Sequence, residues 1–195
     1  MSTLFANPRT RPVSRRRDVP QRIAVVRAVL ALVWAAALVV AVGHGVPSTR
    51  SGIPFAAAAL LTTYPAIDAV ASIVVASSGA PASTRLLRIN AAISTIAVAA
   101  LAVTAFGYGT ASALAAFGAW AAVSGAIQFA TAVRRRRAEG RQLPLIISGG
   151  LSTLAGISFI AESGSNAAHL TGLAGYMALG AVLYLFWARR GRAAP

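Results

Sequence analysis

The sequence predicts an all-α membrane protein: six transmembrane helices, built as three repeated helical hairpins, with both ends of the chain on the cytoplasmic side. Three observations predict it. Six apolar stretches, each near the roughly 20 residues needed to cross a bilayer, fill most of a 195-residue chain that is 57% hydrophobic and 11% charged. The 18 basic residues are all arginines, and nearly all of them flank these stretches on alternate sides. Aromatic and small residues also recur at a fixed spacing in every second stretch.

Residues 1–22 form a basic tail rich in Arg, Pro and Ser, whose composition predicts disorder; it carries Arg9, Arg11, Arg15, Arg16, Arg17 and Arg22. The six-helix bundle is expected over residues 23–190. The first span, Ile23–Val42, is longer than the apolar core of a signal peptide, and the Ala41-Val-Gly-His-Gly that follows is a poor cleavage site, so it is read as an uncleaved helix. The second span is Ile53–Val75. Pro54 suits its first turn, and Pro65 frees a carbonyl and is expected to kink it. Arg85 and Arg88 then precede the third span, Ile89–Phe106, which the short turn Gly107-Tyr-Gly-Thr110 joins to the fourth, Ala111–Val133. Arg134 to Arg137 and Arg141 lead to the fifth span, Leu143–Ile160; the Glu162-Ser-Gly-Ser165 turn leads to the sixth, Ala167–Trp187, and Arg189, Arg190 and Arg192 follow, with a second tail at 191–195. The opposite loops hold only Arg50. Because cytoplasmic loops accumulate basic residues, this alternation places both termini inside. Short turns between spans make neighbouring helices antiparallel partners.

The repeat is visible in the even spans. Tyr64, Trp120 and Tyr176 are separated by 56 residues, and in the same register lie Ala66, Ala122 and Ala178, then Ala69, Gly125 and Ala181, then Ala76, Ala132 and Ala188. In the odd spans Ile93-Ser-Thr-Ile-Ala97 matches Leu151-Ser-Thr-Leu-Ala155 at a spacing of 58. A parallel repeat of this kind runs around an axis along the membrane normal. The three aromatics lie too deep for an interfacial belt and are read as core packing, whereas Tyr108 and Trp187 sit at span ends where a belt is expected.

A net charge of +14 would ordinarily raise nucleic-acid binding, but here the charges flank spans, and nucleic acid is disfavoured as a partner. Arg15, Arg16 and Arg17, with Arg134, Arg135, Arg136 and Arg137, are candidate contacts for anionic lipid headgroups, at about 1 kcal/mol each near the surface. A second copy of the chain or another membrane protein is the class of protein partner expected. The absence of cysteine excludes disulfides, thiolate metal sites and thiol catalysis.

Asp68 is the one carboxylate at membrane depth. A charge there costs on the order of 3 kcal/mol on insertion scales, which makes it a functional candidate by default. Arg27 lies about one turn inside the first span, and at 1.5 Å per residue its backbone differs in depth from that of Asp68 by roughly 10 Å or less, within reach of a long side chain. Tyr64 lies one turn from Asp68 on the same face. Two readings stay open: a proton or cation site, or a structural Arg27–Asp68 pair locking the first hairpin. The second is favoured because a transport path should show more polar residues at that depth. Asn90 and Gln128 are expected to bond across helices, and Ser94-Thr95 and Ser152-Thr153 to bond their own helix carbonyls. On the outer side His44, His169 and Glu162 form a candidate pH-sensitive group, since histidine changes charge in mildly acidic conditions. Their spacing does not support a metal site. No phosphate loop, nucleophile elbow or catalytic triad pattern is present, so no cofactor and no enzymatic activity are expected.

Phe117-Gly-Ala-Trp-Ala-Ala-Val-Ser-Gly-Ala126, the basic turn after it, Leu145-Ile-Ile-Ser-Gly-Gly-Leu-Ser-Thr-Leu-Ala-Gly-Ile157 and Leu173-Ala-Gly-Tyr-Met-Ala-Leu-Gly-Ala181 resemble the HdeD-like family of bacterial membrane proteins. The resemblance spans residues 86–190 and rests on glycine and aromatic spacing; the outer turn at Ala161-Glu-Ser-Gly lacks the expected proline, and the first hairpin matches poorly. It implies six spans built from repeated hairpins, a place in the bacterial cytoplasmic membrane, and a role in envelope or acid stress through packing, lipid or partner contacts. It carries no catalytic residue. The rival expectation is a small proton- or ion-coupled transporter or channel using Asp68.

Overall fold

A computed structural model describes residues 14–43, 52–78, 84–139, 142–165 and 169–192; side chains are described from Arg22 onward, except those of 138, 139 and 190–192. His44 and Arg50 lie outside the described residues, and Arg15, Arg16 and Arg17 are described in backbone only.

In a bilayer every backbone amide must find its partner within the protein, which leaves helices as the solution for apolar segments of this length. The described residues form six: α1 (Ser14–Val42), α2 (Phe55–Ser77), α3 (Thr84–Gly107), α4 (Thr110–Glu139), α5 (Leu143–Ser163) and α6 (Thr171–Arg192). All six are long and apolar enough to cross a membrane. The chain is an all-helical, multi-pass membrane protein.

Several boundaries differ from the sequence reading: α3 starts at Thr84, before the expected Ile89, and α6 runs past Trp187 to Arg192. The tail read as disordered to residue 22 is helical from Ser14: arginine is a good helix former, and the segment extends the span without a break. α4 likewise runs through the arginine cluster to Glu139, where basic side chains suit a helix C-terminus. The sixth span starts at Thr171 instead of Ala167. His169 and Leu170 stay outside it because the Glu162 carboxylate accepts the His169 backbone N–H at 3.0 Å and Leu170 is buried in the core. α2 continues as helix through Pro65. Turns end where glycine permits a left-handed backbone, at Gly43 (φ 72°) after α1 and Gly109 (φ 84°) between α3 and α4.

Each helix touches the next in sequence, and α6 returns to α1, so the six close into a ring. The most extensive pairs are α4–α5, α2–α3 and α1–α6, those that meet across the arginine-bearing end. The sequence reading emphasised the other pairing, through the short turns. Small residues explain the difference. Cβ atoms added at Gly118, Gly125, Gly149 and Gly156 would all fall within 2.8 Å of backbone across the α4–α5 seam, so only glycine allows these helices to approach so closely. Ala28, Ala31 and Ala181 do the same more gently between α1 and α6.

The bundle combines a packed core with a cavity. Away from the arginines a dense core is formed by Leu38, Leu61, Leu101, Leu114, Phe117, Leu173 and Met177, all fully buried. Tyr64, Trp120, Tyr176 and Phe159 surround Phe117 with ring centroids 5.2–6.3 Å apart. Large apolar side chains such as Val33, Ile96, Val103, Leu154 and Val182 face outward, as lipid contact requires. A cavity of about 610 Å³ runs from Arg135 and Gln142 at the arginine-bearing end along α5 and α6 as far as Phe159 and Gly172.

Candidate functional site

Asp68, on α2, is 7% exposed and stands where three helices meet. Arg27 of α1 donates through Nη2 to its Oδ1, forming an ion pair. On the other oxygen, Asn90 donates from Nδ2 at 2.6 Å and Ser94 from its hydroxyl at 2.8 Å, both from α3. Trp120 of α4 then donates its indole N–H to Ser94 Oγ at 2.9 Å. Asn90 uses its second amide hydrogen on Ser72 at 3.0 Å. The guanidinium of Arg27 also lies over the Tyr184 ring of α6, 5.0 Å from its centroid. One carboxylate thus ties α1, α2, α3 and α4, with α6 stacked on the cation.

The structure brings Asp68 and Arg27 together, and it places Tyr64 beside Trp120 in edge-on ring contact at 5.8 Å; the Asp68 oxygens are taken by Arg27, Asn90 and Ser94. Asn90 and Gln128 bond across helices: Gln128 donates to the Leu145 carbonyl at 3.3 Å and accepts from the Tyr184 hydroxyl at 2.7 Å. Thr95 and Thr153 donate to their own helix carbonyls, at Ala91 and Gly149. Their serine neighbours do otherwise. Ser94 joins the Asp68 network, and Ser152 shares a 2.6 Å hydrogen bond with Tyr176.

That difference exposes a repeat in chemistry. Ser94 meets Trp120 and Ser152 meets Tyr176, so in both the α3–α4 and α5–α6 pairs the register aromatic of the even helix bonds the register serine of the odd one. Gln128 and Tyr184, themselves 56 apart in sequence, also bond each other. The shared spacing of these residues was legible in sequence; their mutual contact required the ring closure that sequence does not display.

Of the basic cluster, Arg134, Arg136 and Arg137 are exposed and Arg135 is buried at 8% exposure, lining the cavity. It therefore drops out of the set of candidate headgroup contacts. Four successive residues on a helix spread over about 300° of its circumference, so one of them faces inward. Glu162 and His169 are neighbours through the His169 backbone N–H, not its imidazole. Among the described residues no group of three His, Asp or Glu side chains could hold a metal.

The cavity is continuous with the Asp68 network. Arg27, Asp68, Asn90, Ser124, Thr131 and Arg135 are among its polar lining, and apolar residues of all six helices are also part of its wall. The core aromatics Tyr64, Trp120, Tyr176 and Phe159 form part of its wall.

Residues 91–161, from α3 to α5, match the family model described as a short repeat of unknown function, DUF308, a repeat associated with HdeD-like membrane proteins. The matched stretch contains the Ser94–Trp120 contact and all four glycines of the α4–α5 seam. No curated protein and no solved structure matches the chain.

Proposed function

We propose that this is a non-enzymatic, HdeD-like protein of the bacterial cytoplasmic membrane, with both termini cytoplasmic. It works through helix packing and contacts with lipid or membrane partners, and the Arg27–Asp68 network is its structural clamp. The observation that carries this reading is the occupancy of Asp68: one cation and two fixed donors from two other helices take up its oxygens. A carboxylate held this way is an organising centre for a fold, and a proton-carrying site needs an oxygen free to exchange. The exposed Arg134, Arg136 and Arg137 supply the contacts to anionic headgroups. The resemblance to HdeD-like proteins supplies the setting, envelope or acid stress, and deletion of the gene is expected to lower survival in acid.

The clamp is tested by a double-mutant cycle on thermal stability in detergent. Asp68→Ala and Arg27→Ala should each destabilise, and the double variant should lose little more than either. Additive losses would overturn the pair.

A second reading, a proton- or ion-coupled carrier using Asp68, is favoured by the cavity beside that residue. It needs the leucine and phenylalanine core to open in each cycle. Proteoliposomes decide: an ion or proton flux abolished by Asp68→Asn with folding intact supports the carrier, and wild-type flux equal to that of empty vesicles excludes it.

A further inference from the structure

Burying a polar group without a partner costs free energy, so orphaned polar atoms facing a cavity mark what the cavity is built to meet. Asn90 Oδ1, Ser124 Oγ and Thr131 Oγ1 are buried without a hydrogen-bond partner, and all three residues line the 610 Å³ cavity. Asn90 and Thr131 are 7% and 8% exposed. Both amide hydrogens of Asn90 are already used on Asp68 and Ser72, which leaves Oδ1 as an acceptor for an O–H or N–H that enters the cavity. Ser124 and Thr131 lie two turns apart on one face of α4 and can donate or accept.

The cavity also has a way in from the bilayer. α5 and α6 make the slightest contact of any neighbouring pair in the ring. Along their seam Leu154, Ser158, Gly175 and Leu179 both line the cavity and are exposed. A Cβ added at Gly175 or Gly180 would meet nothing within 4 Å, the reverse of the α4–α5 seam, where glycines bring backbones together. These two glycines keep a gap open. The seam lies within the membrane-spanning part of both helices, so what faces it is lipid.

We propose that this cavity binds a single-chain amphiphile with a neutral, hydroxyl-bearing head, which enters sideways between α5 and α6. The head hydrogen-bonds Asn90, Ser124 and Thr131 in the arginine-bearing half, and the chain leaves along the apolar α5–α6 seam. The volume falls within the roughly 300–1,000 Å³ of small-molecule sites. A carboxylate or phosphate has no proton to offer Asn90 Oδ1, and a cationic head would face Arg27 and Arg135. The site stands apart from the clamp: it uses the polar atoms that the clamp leaves over.

A monoacylglycerol with a dibrominated chain tests this, with Trp120 as reporter in a Trp34→Phe, Trp187→Phe background, because brominated chains quench an indole on contact and Trp120 lines the cavity. The expected result is saturable quenching in detergent micelles, with affinity at least tenfold weaker in Gly175→Leu and a few fold weaker in Thr131→Val, at unchanged melting temperature. Gly180→Leu fills the same gap from another turn and serves if Gly175→Leu does not fold. Quenching that rises linearly with probe and ignores both leucine variants would overturn the site. Tighter binding of a brominated fatty acid or alkyl-ammonium would overturn the neutral head.

Discussion

Within a bilayer a charged side chain persists where protein donors stand in for water, and Asp68 has three of them. Among the described residues, removing the carboxylate leaves Arg27 with the Tyr184 face, so Asp68→Ala is expected to cost roughly 3 kcal/mol, the low end for breaking a buried pair, read as a lowered melting temperature in detergent. Ser94→Ala removes the hinge between Asp68 and Trp120 and should cost less, about 1 kcal/mol, as interhelical hydrogen bonds in membranes do. The Arg27–Asp68 approach was legible in sequence, because depth along two antiparallel helices follows from residue count alone. The roles of Asn90, Ser94 and Trp120 around that carboxylate were not. They depend on the rotation of α3 and α4 about their own axes, and Ala-rich helices with small residues on several faces leave that rotation unspecified. Arg135 illustrates the same limit: four consecutive arginines show that one must turn inward without showing which.

At the scale of the helix, glycine has two opposite uses here. In α4 and α5 it brings backbones into contact; in α6 it leaves a gap. Gly156→Ala would set a methyl 2.3 Å from the Ala122 nitrogen, and backbone cannot yield as a flexible side chain does. The expected loss is about 1–3 kcal/mol, typical of overpacking, and it should appear in thermal unfolding together with poorer expression. Gly180→Ala meets open space and should leave stability unchanged or raise it slightly through helix propensity. Gly125 falls in register with Ala69 and Ala181, and Gly180 with Asp68 and Ser124; that spacing does not show that one is a contact and the other a vacancy. The helix count and their approximate limits were readable, since hydropathy and the 20-residue requirement act locally. Boundaries shifted only where polar residues continued a helix past the apolar stretch or a side chain held a loop back.

At the scale of the molecule, the arginine alternation predicts which end faces the cytoplasm. The chain has no cysteine, so single cysteines report orientation cleanly. Ser165→Cys should react with a membrane-impermeant maleimide in intact cells, and Arg137→Cys only after the membrane is opened; the opposite pattern would invert the topology. The placing of a packed core beside a cavity could not be read from composition, because leucines and alanines occur throughout every span. The core gathers around Phe117, which four other aromatic rings contact. That α1 packs extensively on α6 also bears on how the protein is made. In chain order α1 gains Asp68 within one further span, but the Tyr184 face that covers Arg27 arrives only with α6. Assembly of the ring therefore stays incomplete while α2 to α5 are made, with α1 held by α2 along one side until synthesis of α6 lets the ring shut.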